Sequence, residues 1–310
     1  MQTTTKSCQN DILKTLLYYD IFNYPLTLSE IASFSLFSNA EVKFSLDKLI
    51  AKKITYQLQG FYSLSNDIQL IKNRIEGNKR AQKIVPKANK ISNFIGQFPF
   101  VKAVFISGSL SKGYFAKEDD IDYFIITSPN RIWVARTLLI AFKKIFLLNS
   151  KKYFCVNYFM STNALEITHK NRFTATEFAT LIPMNGNDVY EQLQNENQWV
   201  LDYFPNYNAS KKSKPLYNSI LKKSLEFLLN GKIGDYLDEK FMFLTKKHQQ
   251  KKFKKTHKND FDVTFKGDKN ISKHHPDNHQ KRVLNKLNEK ISLLNSTYSL
   301  HIPLELNLNT

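Results

Sequence analysis

The residues of this chain best suited to chemistry fall within one stretch, residues 101–126. An apolar run leads into Gly108-Ser109, then Ser111-Lys112, then Asp120-Ile121-Asp122, after which the chain turns apolar again. A glycine at a strand end lets a ligand approach the backbone closely, because no side chain stands in the way. Ser109 and the amides after it are set to face a phosphate at the start of a helical turn, where unpaired N–H groups favour an anion. Ser111 and Lys112 belong to the same turn. Lys112 lies four residues after Gly108, either beside those phosphates or as a solvated lysine. Two carboxylates two residues apart on a strand share one face, with Ile121 turned back into the core. Such a pair of hard oxygen donors suits Mg²⁺, which is usually held by one or two carboxylates together with substrate phosphates.

Either half alone is unspecific: Gly-Ser also ends ordinary strands, and Asp-rich turns are common on surfaces. Together, between two apolar strands, they point to a metal-bound triphosphate. Gly-Ser, a spacer of about ten residues, then Asp-hydrophobic-Asp resembles the signature of the polymerase-beta-like nucleotidyltransferase superfamily. The resemblance covers residues 101–168 in architecture. It implies a mixed sheet backed by helices and Mg²⁺-dependent transfer of a nucleoside monophosphate from an NTP to a hydroxyl. It also implies that Gly108 and Ser109 bind the phosphates, while Asp120 and Asp122 ligate metal and carry catalysis; Ser111 and Lys112, in the same turn, are further candidates for nucleotide binding. Active members place a third acid on a later strand, and that strand here centres on Asn157. Asn157 is either a metal ligand through its amide oxygen or a hydrogen-bonded strand residue. Glu166, on the next apolar stretch, is the remaining catalytic carboxylate. Glu177 sits on a predicted helix, facing either the cleft or solvent.

These residues need elements to hold them. Residues 101–107 and 122–127 read as buried strands, residues 153–160 as a third and 164–168 as a fourth. Ser128-Pro129 reads as an N-cap with proline at the first helical position, opening a helix to about residue 148. Ahead of this core, residues 1–66 show two capping boxes, Thr27 with Glu30 and Ser38 with Glu41, then a hairpin around Gly60. Three helices and a hairpin give winged-helix order. The third helix carries Lys43, Lys48, Lys52 and Lys53, for phosphate contact or simply on a packing module. A helical connector (67–97) is broken at Pro86. Helices at 174–181, 188–202 and 216–229 fill residues 171–244. Residues 245–310 read as a basic, disordered tail with a short terminal helix. Within it, 245–282 holds 12 Lys/Arg against 4 Asp and five histidines whose spacing suits adventitious metal affinity. The expected fold class is therefore α+β: a nucleotidyltransferase mixed sheet at 98–170, a winged-helix-like unit before it, and helices and a basic tail after it.

The chain has 310 residues, 42% of them hydrophobic, enough for about two domains with a sizeable core. The formal charge is +18, which favours acidic partners such as nucleotide or nucleic acid. Only Cys8 and Cys155 are present, so a disulfide framework or cysteine zinc knuckle is excluded and a reducing, cytoplasmic compartment is expected. The most apolar stretch, 132–148, is interrupted by Arg136, Lys143 and Lys144, so no membrane partner is expected. The expected partners are an NTP and a hydroxyl acceptor (protein, RNA or small molecule), with nucleic acid on the winged-helix-like unit and tail. A nucleic-acid-associated regulator that senses nucleotide without transferring it is the alternative.

Overall fold

Both capping boxes form, and they set the N-terminal unit. Thr27 and Glu30 exchange side-chain and backbone hydrogen bonds, as do Ser38 and Glu41. The structure, a computed structural model, describes residues 2–209, 213–216, 219–252, 267–273 and 278–305. α1 (Gln2–Asp20), β1 (Leu26–Thr27), α2 (Leu28–Ser33), α3 (Asn39–Ala51), β2 (Tyr56–Leu58) and β3 (Phe61–Ser63) follow in order. The three short strands form an antiparallel sheet of order β1-β3-β2. α4 (Ile68–Ile95) runs unbroken through Pro86. That proline is solvent-exposed, so the carbonyl it leaves unbonded in the helix can be hydrated.

The central sheet comprises β4 (Val101–Ser107), β5 (Asp122–Thr127), β6 (Cys155–Ser161), β7 (Ile182–Asn185) and β8 (Ile271–Lys273). Its order is β7-β4-β5-β6-β8, with β5 and β6 parallel and every other pair antiparallel. The fold is thus mixed α+β. Alternation divides the strands between two cores: Ala103, Phe105, Phe124 and Ile126 face one, and Val104, Ile106, Tyr123 and Ile125 face the other. The first core is continuous with the N-terminal unit; α4 and α6 (Ile132–Phe146) cover the second. α5 (Gly108–Ser111) is a single turn after β4. α7 (Arg172–Thr180), α8 (Asn187–Glu196), α9 (Val200–Tyr203), α10 (Ile220–Leu228), α11 (Gly231–Lys252) and α12 (His279–Tyr298) follow among the described residues.

Besides the break expected at Pro86, four expectations give way. The strand expected at 164–168 is a loop, because the Asn197 side chain takes up its backbone groups, accepting from Ile167 N–H and donating to the Leu165 carbonyl. The same side chain donates to the Leu193 carbonyl, and the helix expected at 188–202 divides there into α8 and α9. Ser128-Pro129 does not open α6, which starts at Ile132, where Asp238 of α11 accepts from the N–H groups of Trp133 and Val134. The segment read as a basic tail supplies β8, paired to β6, and the 20-residue α12. Val283, Leu284, Leu287 and Ile291 of α12 are buried, because their helical spacing offers one apolar face despite the basic composition around it. Residues 253–266 and 274–277, with His257, His274 and His275, lie outside the described residues. Among those described, no helix is long and apolar enough to cross a membrane.

Candidate metal and nucleotide site

The antiparallel pairing of β4 with β5 sets Ser107 opposite Asp122, so the chain leaves β4 directly beside the carboxylate that opens β5. Gly108 takes φ +69 there, and a Cβ on it would lie 2.6 Å from Asp122 Oδ2. Glycine is therefore required twice over, by backbone conformation and by space. Ile121 is fully buried, anchored by its N–H donating to the Lys152 carbonyl, as the two-residue spacing of Asp120 and Asp122 anticipates.

The parallel pairing of β5 with β6 brings a third group: Asp122 lies opposite Cys155. One ligand atom from each of Asp120, Asp122 and Cys155 falls within 4.8 Å of the others. Burial, then the nearby Asp120 charge and that of Glu177, push the Asp122 carboxyl up to about 7, against hydrogen bonds from Cys155 and Asn157. Burial and the Asp122 and Asp120 charges likewise push the Cys155 thiol up, keeping it protonated. The donor chemistry fits a hard divalent cation. Two crowded carboxylates supply hard oxygen donors, with the Cys155 thiol beside them as a third donor atom.

The register slips between Tyr123 and Phe124, leaving Asn157 as the extra residue of a bulge in β6. From there its Nδ2 donates to Asp122 Oδ1 at 3.0 Å. This hydrogen bond presents the amide nitrogen, not the oxygen a metal would need. Glu166 stands apart from this cluster. It follows the end of β6 opposite to Cys155 and is 53% exposed in an i,i+4 ion pair with Lys170.

The turn after β4 is held by residues that sequence reading passed over. Ser109 Oγ donates to Asp119 Oδ2 at 2.8 Å, and the same oxygen accepts from Ala116 N–H, closing the loop that leads to Asp120. Ser111 Oγ donates to the Gly108 carbonyl. Lys112 Nζ lies 2.8 Å from Glu177 Oε1 on α7 and 3.1 Å from the Gly108 carbonyl, with the lysine side chain only 15% exposed. Glu177 thus faces the cleft rather than bulk solvent. The Tyr24 hydroxyl of the N-terminal unit donates to the Lys112 carbonyl. Tyr114 packs edge-on to Tyr24 and fills the space above Gly77 of α4, where a Cβ would lie 2.1 Å from its ring. Asp119 and Cys155 carried no sequence signal, because their role comes from loop closure and cross-strand register.

A separate cavity of about 530 Å³ lies at the other end of β4 and β5, lined by Phe100, Lys102, Arg131, Glu226 and Asp235 among others. It touches none of these site residues. No family model, curated protein or solved structure matches this chain.

Proposed function

We propose that this chain is a Mg²⁺-dependent nucleotidyltransferase that moves a nucleoside monophosphate from an NTP to a hydroxyl acceptor. The observation that carries the reading is the convergence of Asp120 and Asp122, with Asp122 Oδ2 2.6 Å from where a side chain on Gly108 would begin. Asp120 and Asp122 would hold the cation. Mg²⁺ supplies neutralisation of triphosphate charge, a lowered pKa for the acceptor hydroxyl and stabilisation of the departing pyrophosphate. Gly108 leaves room for phosphate against the backbone. Lys112 exchanges its ion pair with Glu177 for a phosphate oxygen. Asn157 orients Asp122 by donating to one oxygen, leaving the other toward the turn. The acceptor is a protein side chain, an RNA end or a small molecule.

Purified protein with labelled NTP, Mg²⁺ and cell extract should label an acceptor, and Asp120→Asn should reduce labelling by at least about a hundredfold. Equal labelling by that variant would remove the assignment. The amide donor of Asn157, where a third acid is expected, favours one alternative: a nucleotide-binding regulator without turnover. That reading predicts Mg²⁺-dependent NTP binding, weakened by Asp120→Asn, with no labelled product. For the N-terminal unit, helix order and the β1-β3-β2 sheet support a winged-helix-like reading. On α3, however, Lys43 pairs with Asp47 and Lys48 lies over Phe44, which supports a contact role other than phosphate binding for that face.

A further inference from the structure

α10 and α11, joined by two residues, make a helical hairpin in connectivity, and large apolar side chains are exposed on each helix. On α10, Ile220, Leu221, Phe227 and Leu228 are 84%, 68%, 82% and 64% exposed. At 100° per residue they share an arc of about 120°. On α11, Ile233, Tyr236, Phe243 and Leu244 are each at least half exposed and share an arc of about 100° with Lys240, Lys247 and Lys251, so apolar and cationic side chains alternate on that face. Only two residues separate the helices: Asn230 lines the 530 Å³ cavity beside Phe100, and Leu229 packs with Phe100, Val134 and Ala135, so the hairpin is anchored at its bend. Its inner side is fixed: Lys222 is buried, donating to the carbonyls of Gly96 and Val101, and Asp238 caps α6. Among the described residues, the outer apolar side chains belong to none of the buried clusters. Soluble surfaces rarely show that many large apolar side chains together unless something docks there.

Charge selects the occupant. The hairpin carries eight lysines and four acids. Each acid is engaged within the molecule: Glu226 with Phe100 N–H, Asp235 with Arg131, Asp238 with the start of α6, and Glu239 with Lys269. Seven of the lysines are exposed, and Lys240 and Lys247 lie over the rings of Tyr236 and Phe243. A second copy would set two cationic faces together with every acid already engaged. Nucleic acid would answer the lysines but leave the aliphatic side chains in water. An anionic bilayer answers both, with acyl chains for the apolar arc and headgroup charge for the lysines, whose long stems reach back to the interface.

We propose that the α10–α11 hairpin is an interfacial membrane-binding surface for anionic lipid. This site is independent of the nucleotidyltransferase reading. It also differs from the sequence expectation of no membrane partner, which rested on the lack of a spanning segment and does not bear on attachment at the interface.

The test is flotation of the full chain with vesicles of phosphatidylglycerol mixed with phosphatidylcholine, and with phosphatidylcholine alone. The wild type should float with the first and not the second. Phe227→Ser, at a site too exposed to affect folding, should lower partitioning by at least about tenfold with an unchanged circular dichroism spectrum. Lys246→Glu combined with Lys247→Glu should remove the preference for anionic vesicles, whereas Asp120→Asn should float like the wild type. Absence of flotation, or equal flotation of Phe227→Ser, overturns the proposal. If light scattering instead finds a dimer that Phe227→Ser dissociates, the face belongs to a second copy. If the face binds a nucleic-acid duplex in place of vesicles, it belongs to that partner.

Discussion

At Gly108 the backbone and the neighbouring carboxylate ask for the same thing, a residue with no Cβ. Gly108→Ala should lower unfolding free energy by about 1–2 kcal/mol in urea titration, the cost of a left-handed conformation for an L-residue. The same variant should also weaken Mg²⁺–nucleotide binding by pushing Asp122 aside. Asp122 makes a second prediction. Unfolded, its carboxyl ionises near 3.8; folded, at about 7. Between those values the native state holds the extra proton, so stability falls as pH rises, by up to about 1.4 kcal/mol per pH unit. Above about 7 the loss is complete. Asp122→Asn should flatten this part of the pH profile, and added Mg²⁺ should restore more stability at pH 8 than at pH 5. Equal Mg²⁺ effects at both values would count against a cation on these carboxylates.

Elements here are often finished by residues far away in the chain. Asp238 closes the N-terminus of α6 from over 100 positions downstream. Asp238→Ala should cost about 1–2 kcal/mol and speed amide exchange at Trp133 and Val134 while leaving β5 protected. Exchange unchanged at both amides would mean that another group caps the helix. This long reach explains which parts of the fold were legible. β4 and β5 were, because two predominantly apolar strands, of seven and six residues and bounded by Gly108 and Ser128, carry their own signal. The two capping boxes were, because donor and acceptor lie three residues apart. The start of α6 was not, since Ser128-Pro129 looks like a local cap and the true acceptor is on another helix. The role of Asn157 was half legible: its strand was found, but the bulge that aims its amide at Asp122 depends on the register with β5. β8 is three residues long and is recognisable only through its pairing with β6, so composition alone marked it as tail.

For the molecule as a whole, the first and last helices share one core. α12 packs against α1 and α7, and Arg172 of α7, Lys14 of α1 and Glu305 meet in a buried polar cluster. Leu287, fully buried in α12, therefore belongs to the main fold. Leu287→Ala should cost about 2–5 kcal/mol and shift a single thermal transition monitored through the N-terminal unit. An unshifted transition would mean that α12 is dispensable. The closure of α12 over α1 also has a consequence for the order in which the protein is made. Ribosomes emit roughly 5–20 residues per second, so α1 waits on the order of tens of seconds before α12 exists to cover it. During that interval Leu13, Leu16 and Leu17 rely on the rest of the core, α2, α3 and β3 among it, without α12. The nascent N-terminus is then the segment most in need of a chaperone, and a transcript cut short before α12 would yield a chain whose first helix never finds its cover.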